Sequence, residues 1–244
     1  MTVRPILFSA PMVRSILREI ERPGTGKTQT RRVLNPQPAE WQAQVIDITA
    51  PTFEEDEGGW GQWVTEWSEP CREMPMGEPN REVWRPLRGL RFAVGDVLWV
   101  RETWSIPNAY LDPARRSTAL GLLTYKATPW SIPGAWRPSI HMPRWASRLT
   151  LVVTDVRVER LQSISETDAI AEGAEQYSSS ILLHRDRPYD AALNGIYREG
   201  FSELWEGLNG ARGLGWTANP WVCAVSFVPH AMNVDAFLAQ KEAA

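Results

Sequence analysis

Apolar residues recur along the chain at two spacings, and each spacing predicts a different kind of element. Within residues 10–21, apolar side chains stand three or four positions apart, which predicts an amphipathic helix that ends at Pro23 and Gly24. Within residues 148–160, apolar and polar residues alternate almost throughout, which predicts a long strand with one buried face. The fold therefore contains both helices and strands.

Shorter signals predict further elements. Ser165 with Asp168 three positions later resembles a capping box, which predicts a short helix over residues 165–173 that ends at a glycine. Residues 197–210 repeat the helical spacing and predict another amphipathic helix. Additional strands are expected at 3–8, 97–102, 122–128 and 219–229.

The order of these elements shows no strand–helix–strand alternation and no internal repeat. We therefore expect the α+β class, as a mixed β-barrel with flanking helices. The segments at about 35–88 and 174–195 lack clear periodicity and are interpreted as insertions into a single domain over residues 1–230. Residues 231–244 are interpreted as a polar C-terminal tail.

Composition and charge argue against several classes of protein. No apolar run approaches the ~20 residues that a membrane-spanning helix needs, and the N-terminal segment has no small-residue cleavage site. We therefore expect a cytoplasmic protein that does not bind a membrane. The formal net charge of −3 has the wrong sign for a protein that holds a long nucleic acid mainly by neutralising its phosphates. The 13 tryptophans are expected mostly in the core, although such rings also stack on bases.

Cysteine and histidine spacing predicts neither a metal site nor a cofactor. Cys71 and Cys223 form no CxxC pair and lie near no histidine at the spacing of metal ligands. His141, His184 and His230 are far apart and form no HExxH pattern.

The segment Gly24-Thr25-Gly26-Lys27-Thr28 is similar to the end of a phosphate-binding P-loop, GxxxxGK[ST]. The first glycine of that motif is replaced by Glu21, and a predicted helix precedes the loop where the motif needs a strand. The segment therefore does not predict an NTPase.

The same segment does resemble the signature of the ASCH family, Gly-Lys-Thr-x-Thr-x-Arg, which here covers residues 26–32. Other segments follow in the order in which ASCH proteins have them, at 92–100, 150–158, 164–173 and 219–227. The insertions have no counterpart in the small bacterial members. In length, the chain is closer to the longer ASCH proteins of phages and prophages.

This resemblance implies a PUA-like fold, which is a small mixed β-barrel, and a pocket lined by the signature. Small bacterial ASCH proteins include amidohydrolases that remove the acetyl group from N4-acetylcytidine. Their catalytic residues, transferred by motif, fall on Lys27, Thr30 and Glu172. The position of Glu172 depends on aligning two short helices, so Glu166 and Glu175 are the alternatives.

These residue types also suit amide hydrolysis without the family. A partly desolvated Lys27 would take the proton of Thr30, Thr30 would attack the acyl carbonyl, and Glu172 would pass a proton to the departing nitrogen. Alternatively, Lys27 and Thr30 position an attacking water. Taken singly, each residue also suits an ordinary surface or strand-edge position.

Five further residues are candidates for binding the substrate. Arg32, which the resemblance places in the signature, suits a carbonyl or phosphate, or else a carboxylate within the protein. Glu102 and Trp104 suit a hydrogen bond to a nucleobase and a stack on it, although core packing is the favoured role of Trp104. His141 and Arg144 lie in a Pro-rich segment that could cover the pocket, or they have structural roles.

Together these features predict an amidohydrolase for a modified pyrimidine nucleoside or nucleotide, namely an N4-acylated cytidine. The alternative is a non-catalytic PUA-like module that binds RNA or modified DNA bases. Such a module needs arginines clustered on one face, for which Arg31, Arg32, Arg144 and Arg148 are the candidates. A nuclease is less well supported, because the sequence predicts neither a metal cluster nor a basic groove.

Overall fold

The computed structural model describes residues 1–38, 52–55, 61–65, 85–86, 91–108, 120–128, 135–174 and 196–243, with the backbone alone described at 52–55, 61–65 and 85–86. Its strands are β1 Val3–Leu7, β2 Gln29–Val33, β3 Thr52–Glu55, β4 Gly61–Thr65, β5 Arg85–Pro86, β6 Val97–Arg101, β7 Trp104–Ser105, β8 Thr124–Tyr125, β9 Thr150–Arg160 and β10 Trp221–His230. Its helices are α1 Ala10–Glu21, α2 Glu166–Ala171, α3 Ile196–Asn209 and α4 Val234–Glu242. Within the described residues, no helix has the length and apolar character to span a membrane.

The main sheet has five strands in the order β1-β6-β9-β10-β2. β1 pairs with β6 in parallel, and the other pairings of this sheet are antiparallel. β9 and β10 pair along almost their whole length, from Trp221 opposite Arg160 to His230 opposite Thr150. This long central pair holds β2, which carries Thr30, at one edge of the sheet.

The α+β class is confirmed, but the sheet is open rather than a closed barrel. β1 and β2 are its two edges, and among the described strands they do not pair with each other. Helix α1 connects these edges in sequence and packs Val13 and Ile16 into the same core as the sheet. A side chain spans the gap instead, because Arg32 Nη2 donates a hydrogen bond to the Leu7 carbonyl oxygen over 2.7 Å.

Local sequence signals predict α1 and α2 well. The bounds predicted for α1 are confirmed, and Pro11 lies in its first turn, where its missing N–H costs nothing. The predicted cap of α2 is also confirmed, since the Ser165 hydroxyl accepts a hydrogen bond from the Asp168 amide over 3.0 Å. Both features depend on neighbouring residues alone.

Two predictions for the part of the chain between α1 and α2 need correction. Residues 35–88 are not wholly irregular, because β3, β4 and β5 form a three-stranded antiparallel sheet. Strands of two to five residues are too short for alternation to be recognised. The strand expected at 122–128 is limited to β8, which follows a 3-10 turn at Leu120–Leu122. The insertion expected at 174–195 lies outside the described residues from position 175 onwards.

The expectation of a polar tail over 231–244 is wrong. Its apolar residues Val234, Phe237 and Leu238 belong to helix α4 and pack against Val97 and Trp99 of β6. The end of α4 lies beside the first residue of the chain, where Lys241 Nζ is 3.8 Å from Met1 Sδ. These three apolar residues are separated by three positions and by one, and polar neighbours surround them. So short a stretch gives only a weak helical pattern in the sequence.

Candidate functional site

The loop between α1 and β2 is held firmly by the two helices beside it. The Lys27 amide donates to the Ser15 carbonyl of α1 over 3.1 Å, and the Thr28 amide donates to the Ala171 carbonyl of α2 over 2.8 Å. A Cβ on Gly26 would collide with the backbone of α1 at Ser15, so this position requires glycine. The loop therefore fixes the direction in which Lys27 and β2 leave it.

A carboxylate of α1 already binds the amides of this loop. The carboxylate of Glu19 accepts hydrogen bonds from the Gly24 amide at 2.9 and 3.0 Å and from the Gly26 amide at 2.8 Å. In a P-loop, such amides hold the phosphates of a nucleotide. Because Glu19 already occupies them, the loop does not act as a phosphate cradle.

Lys27 and Glu172 form an ion pair in the interior. Lys27 Nζ donates to Oε2 and to the backbone carbonyl of Glu172, both over 2.6 Å. The Lys27 side chain is 0% exposed and that of Glu172 is 4% exposed. Burial lowers the pKa of Lys27, whereas its hydrogen bond and attraction to Glu172 act in the opposite direction. A lysine in such a site can exchange a proton nearer to neutral pH than a solvated one.

Arg31 holds the other oxygen of this carboxylate. Its Nη1 lies 3.3 Å from Glu172 Oε1, and its Nη2 donates to Glu159 over 2.6 Å and to Asp168 over 3.2 Å. Its Nη1 also donates to the side chain of Gln29. Arg31 is thus neutralised inside the protein, and it fixes the orientation of Glu172.

A cleft of about 370 Å³ opens at the edge of β2, between that strand and α3. Its polar lining includes Thr30 of β2 and Glu172 at the end of α2. Its apolar wall includes Met12 of α1 and Leu204 and Leu208 of α3. The remaining lining residues are Arg31, Arg32, Val33, Phe201, Trp205, Asn209 and Arg212.

The predicted catalytic residues are all buried but differ in their position relative to this cleft. Thr30 and Glu172, which are 1% and 5% exposed, line it, whereas Lys27, which is 0% exposed and bonded to Glu172, does not. Glu166, an alternative to Glu172, is engaged elsewhere, because it accepts hydrogen bonds from the Tyr197 and Arg198 amides at the start of α3. The other alternative, Glu175, lies outside the described residues.

Among the predicted binding residues, Arg32 lines the cleft. Glu102 is buried in a two-point ion pair with Arg148, at 2.8 and 3.0 Å. Burial raises the pKa of Glu102, and Arg148 opposes this shift. Trp104 packs edge-on against Trp145 at 6.2 Å in a core cluster, so its core-packing interpretation is confirmed.

The remaining two candidates also lie away from the cleft wall. His141 is exposed at the end of a 3-10 turn. Arg144 pairs with Asp235 of α4 over 2.6 Å. Neither is among the residues described as lining the cleft. The Pro-rich segment therefore connects the sheet to α4 rather than covering this cleft.

Sequence reasoning missed the contribution of α3 and of Arg212, which follows that helix. The available signal was the width of the apolar stripe on α3. Phe201 and Trp205 are buried in the core, whereas Leu204 and Leu208 are 41% and 54% exposed. Two partly exposed leucines on one side of a core-packed helix indicate a surface that a ligand can cover.

Within the described residues, no group of three or more His, Cys, Asp and Glu side chains could hold a metal ion. Comparison with protein-family models, with curated proteins and with solved structures found no match to this chain.

Proposed function

We propose that the cleft between β2 and α3 is the active site of an amidohydrolase for an N4-acylated cytidine, as a nucleoside or nucleotide. The observation that carries the proposal is the buried Lys27–Glu172 pair directly behind a cleft that Thr30 lines. A desolvated lysine in contact with a carboxylate is a typical proton-exchanging arrangement, and a threonine hydroxyl is a known nucleophile. We also propose that the chain is of the ASCH type with a PUA-like fold, since the segment similar to that family's signature adjoins this cleft.

The chemistry proposed for these groups is a two-step acyl transfer. Glu172 takes the hydroxyl proton of Thr30 as Thr30 Oγ1 bonds to the acyl carbon. The bond from carbon to the exocyclic nitrogen then breaks, and Glu172 returns the proton to that nitrogen, which releases cytidine. Water hydrolyses the ester on Thr30 with the same carboxylate as base. Lys27, which does not line the cleft, holds Glu172 in place through its hydrogen bonds. Its ammonium group also offsets the charge of the Glu172 carboxylate while that group gains and loses a proton.

The lining of the cleft supports a substrate of this kind. Met12, Leu204 and Leu208 provide an apolar wall for an acyl group or a pyrimidine ring. Binding sites for small molecules commonly combine such a wall with a few polar groups that orient the ligand. The volume of about 370 Å³ lies within the usual range of roughly 300–1,000 Å³ for such sites.

The alternative, a module that binds RNA or modified DNA bases without catalysis, has less support. Three of the four arginines proposed for its binding face have carboxylate partners within the protein: Arg31 with Glu159, Arg144 with Asp235 and Arg148 with Glu102. Arginines paired in this way neutralise few phosphates.

The proposal is tested by incubating the protein with N4-acetylcytidine and N4-acetyl-2′-deoxycytidine and separating released cytidine by chromatography. Thr30→Val keeps the shape of the side chain but removes the nucleophile, so release should fall to background. Glu172→Gln should lower the rate by about 10²–10⁴-fold, as expected for loss of a general acid–base group.

Thr28→Val is the matched control, because Thr28 lies in the same segment but does not line the cleft. Its rate should equal that of the wild type. Absence of cytidine release by folded wild-type protein, or full activity in Thr30→Val, would refute the proposal.

A further inference from the structure

Positively charged groups outnumber negatively charged ones in the lining of the cleft. The charged groups comprise the guanidinium groups of Arg31, Arg32 and Arg212 and the carboxylate of Glu172. Arg31 is balanced by its contacts with carboxylates, which include Glu159 beyond the cleft. The other two arginines therefore decide the local charge, although the protein as a whole carries −3.

Arg32 is a half-buried cation without a carboxylate partner in the described part of the chain. Its Nη2 donates to the neutral Leu7 carbonyl, and its guanidinium lies 5.1 Å from the centre of the Phe8 ring. Within the described residues, no carboxylate oxygen lies within 4.0 Å of a guanidinium nitrogen of Arg32, which is the limit for an ion pair. Burial lowers the pKa of Arg32 and its attraction to the Glu172 carboxylate opposes this shift, but a guanidinium remains protonated at neutral pH. Because Glu172 is already paired with Lys27 and Arg31, a partly desolvated Arg32 has no carboxylate of its own, and a bound anion would provide a counter-charge.

Arg212 is the second such group. It is exposed at the end of the 3-10 turn Gly210–Arg212, which follows α3. Its Nη1 donates to Asn209 Oδ1 over 3.3 Å, and within the described residues no carboxylate forms an ion pair with it. Asn209 also lines the cleft, so this hydrogen bond joins Arg212 to another lining residue. The cleft therefore has a second, exposed cation in its lining.

We infer that Arg32 and Arg212 form an anion subsite in this cleft and that it takes the phosphate monoester of a mononucleotide. Two guanidinium groups provide several N–H donors in planar arrays, which match phosphate oxygens well. That the anion belongs to a cytidine nucleotide rests on the proposed function, whereas the subsite itself rests on the charges alone. The preferred substrate would then be the 5′-monophosphate rather than the nucleoside.

The subsite is tested by calorimetric titration of the wild-type protein with cytidine and with cytidine 5′-monophosphate at one fixed ionic strength. The monophosphate should bind at least about tenfold more tightly, or ~1.4 kcal/mol. Arg212→Gln and Arg32→Gln should each remove most of this preference. Arg14→Gln removes an equal charge from an exposed position of α1 outside the cleft and should leave the preference unchanged.

Arg32→Gln also loses the contact with Leu7, so its folding is checked by circular dichroism. If it does not fold, the exposed Arg212 decides the outcome. Equal affinity of the wild type for both ligands, no binding of either, or an unchanged preference in Arg212→Gln would overturn the inference.

The result is separable from that of the hydrolysis assay. Hydrolysis with equal binding of the two ligands would retain the proposed function and reject the subsite. Preference for the monophosphate without hydrolysis of an acylated cytidine would retain the subsite and reject the proposed function.

Discussion

At the scale of single residues, the charged groups of Lys27 and Glu172 are both buried, and each partly offsets the cost of removing the other from water. Both hydrogen bonds of the Lys27 ammonium group go to Glu172. A buried ion pair of this kind is not a strong source of stability, because desolvation of the two charges offsets their attraction. Substitution of only one partner is nevertheless costly, since the charge of the other is then left buried without its partner.

The pair should therefore show strong coupling. Lys27→Met and Glu172→Gln should each lower the free energy of unfolding by about 3–5 kcal/mol. The double variant should lose clearly less than the sum of the two, as measured by urea denaturation. Additive losses would contradict a direct interaction. Asp155→Asn serves as a control, because Asp155 is 51% exposed in its ion pair with Arg157, and should cost less than about 1 kcal/mol.

The lowered pKa of Lys27 also predicts how stability changes with pH. Between this lowered pKa and the usual value of 10.5, the unfolded chain binds more protons at Lys27 than the folded protein does. The contribution of Lys27 to stability therefore rises with pH across that window. The difference in free energy of unfolding between wild type and Lys27→Met should move in favour of the wild type as pH increases from 7 towards 10. A difference that shrinks would show that the ammonium form is the preferred one in the folded protein.

At the scale of elements, the end of α2 is fitted closely to α1 and the loop. Gly173 follows α2 with φ of +76°, in the left-handed region that favours glycine. A Cβ at this position would lie 2.5 Å from Ser15 Oγ and 3.2 Å from Lys27 Cβ. The glycine thus lets the chain turn where α1, α2 and the buried lysine meet.

Gly173→Ala should consequently lower the free energy of unfolding by about 2–4 kcal/mol, through backbone strain and collision together. Gly95→Ala is the matched comparison, since Gly95 has φ of +86° but no heavy atom within 4 Å of an added Cβ. It should lose only about 1 kcal/mol, from strain alone. Similar losses for the two variants in thermal or urea denaturation would show that the packing around Gly173 adjusts freely.

Elements defined by neighbouring residues could be predicted from the sequence, and the contacts between distant segments could not. The cap of α2 needs only Ser165 and Asp168, three positions apart. The pairing of Lys27 with Glu172 spans 145 positions, and only a resemblance brought these two residues together. The ion pair of Glu102 with Arg148 leaves no periodic trace in the sequence, so the sequence indicates a substrate-binding role for Glu102 that the structure does not support. Arg212 had no motif at all, because its role comes from the position of α3.

At the scale of the whole molecule, α4 packs against β6. Asn233 connects α4 to the segment that precedes β9. Its Nδ2 lies within hydrogen-bond distance of the Arg144, Trp145 and Ser147 carbonyl oxygens, at 3.0, 3.3 and 2.8 Å. Its Oδ1 accepts from the Asp235 amide over 2.9 Å and so caps α4.

Asn233→Ala should lower the free energy of unfolding by about 2 kcal/mol, because it removes the cap and leaves polar backbone groups without a partner. Its rate of hydrolysis should not change, since neither Asn233 nor any residue of α4 lines the cleft. Gln240→Ala, at an exposed position of the same helix, should change stability by less than about 0.5 kcal/mol. Loss of activity in folded Asn233→Ala would indicate that α4 influences the cleft.

The proximity of Met1 to Lys241 has a consequence for engineering. Because β1 and α4 both lie against β6, a covalent link between the side chains at positions 1 and 241 would join segments 240 residues apart in sequence. Closing so long a loop leaves the unfolded chain far fewer conformations, a gain on the order of 5 kcal/mol by the chain-entropy estimate. Since neither position lines the cleft, such a link would stabilise the protein with an unaltered cleft.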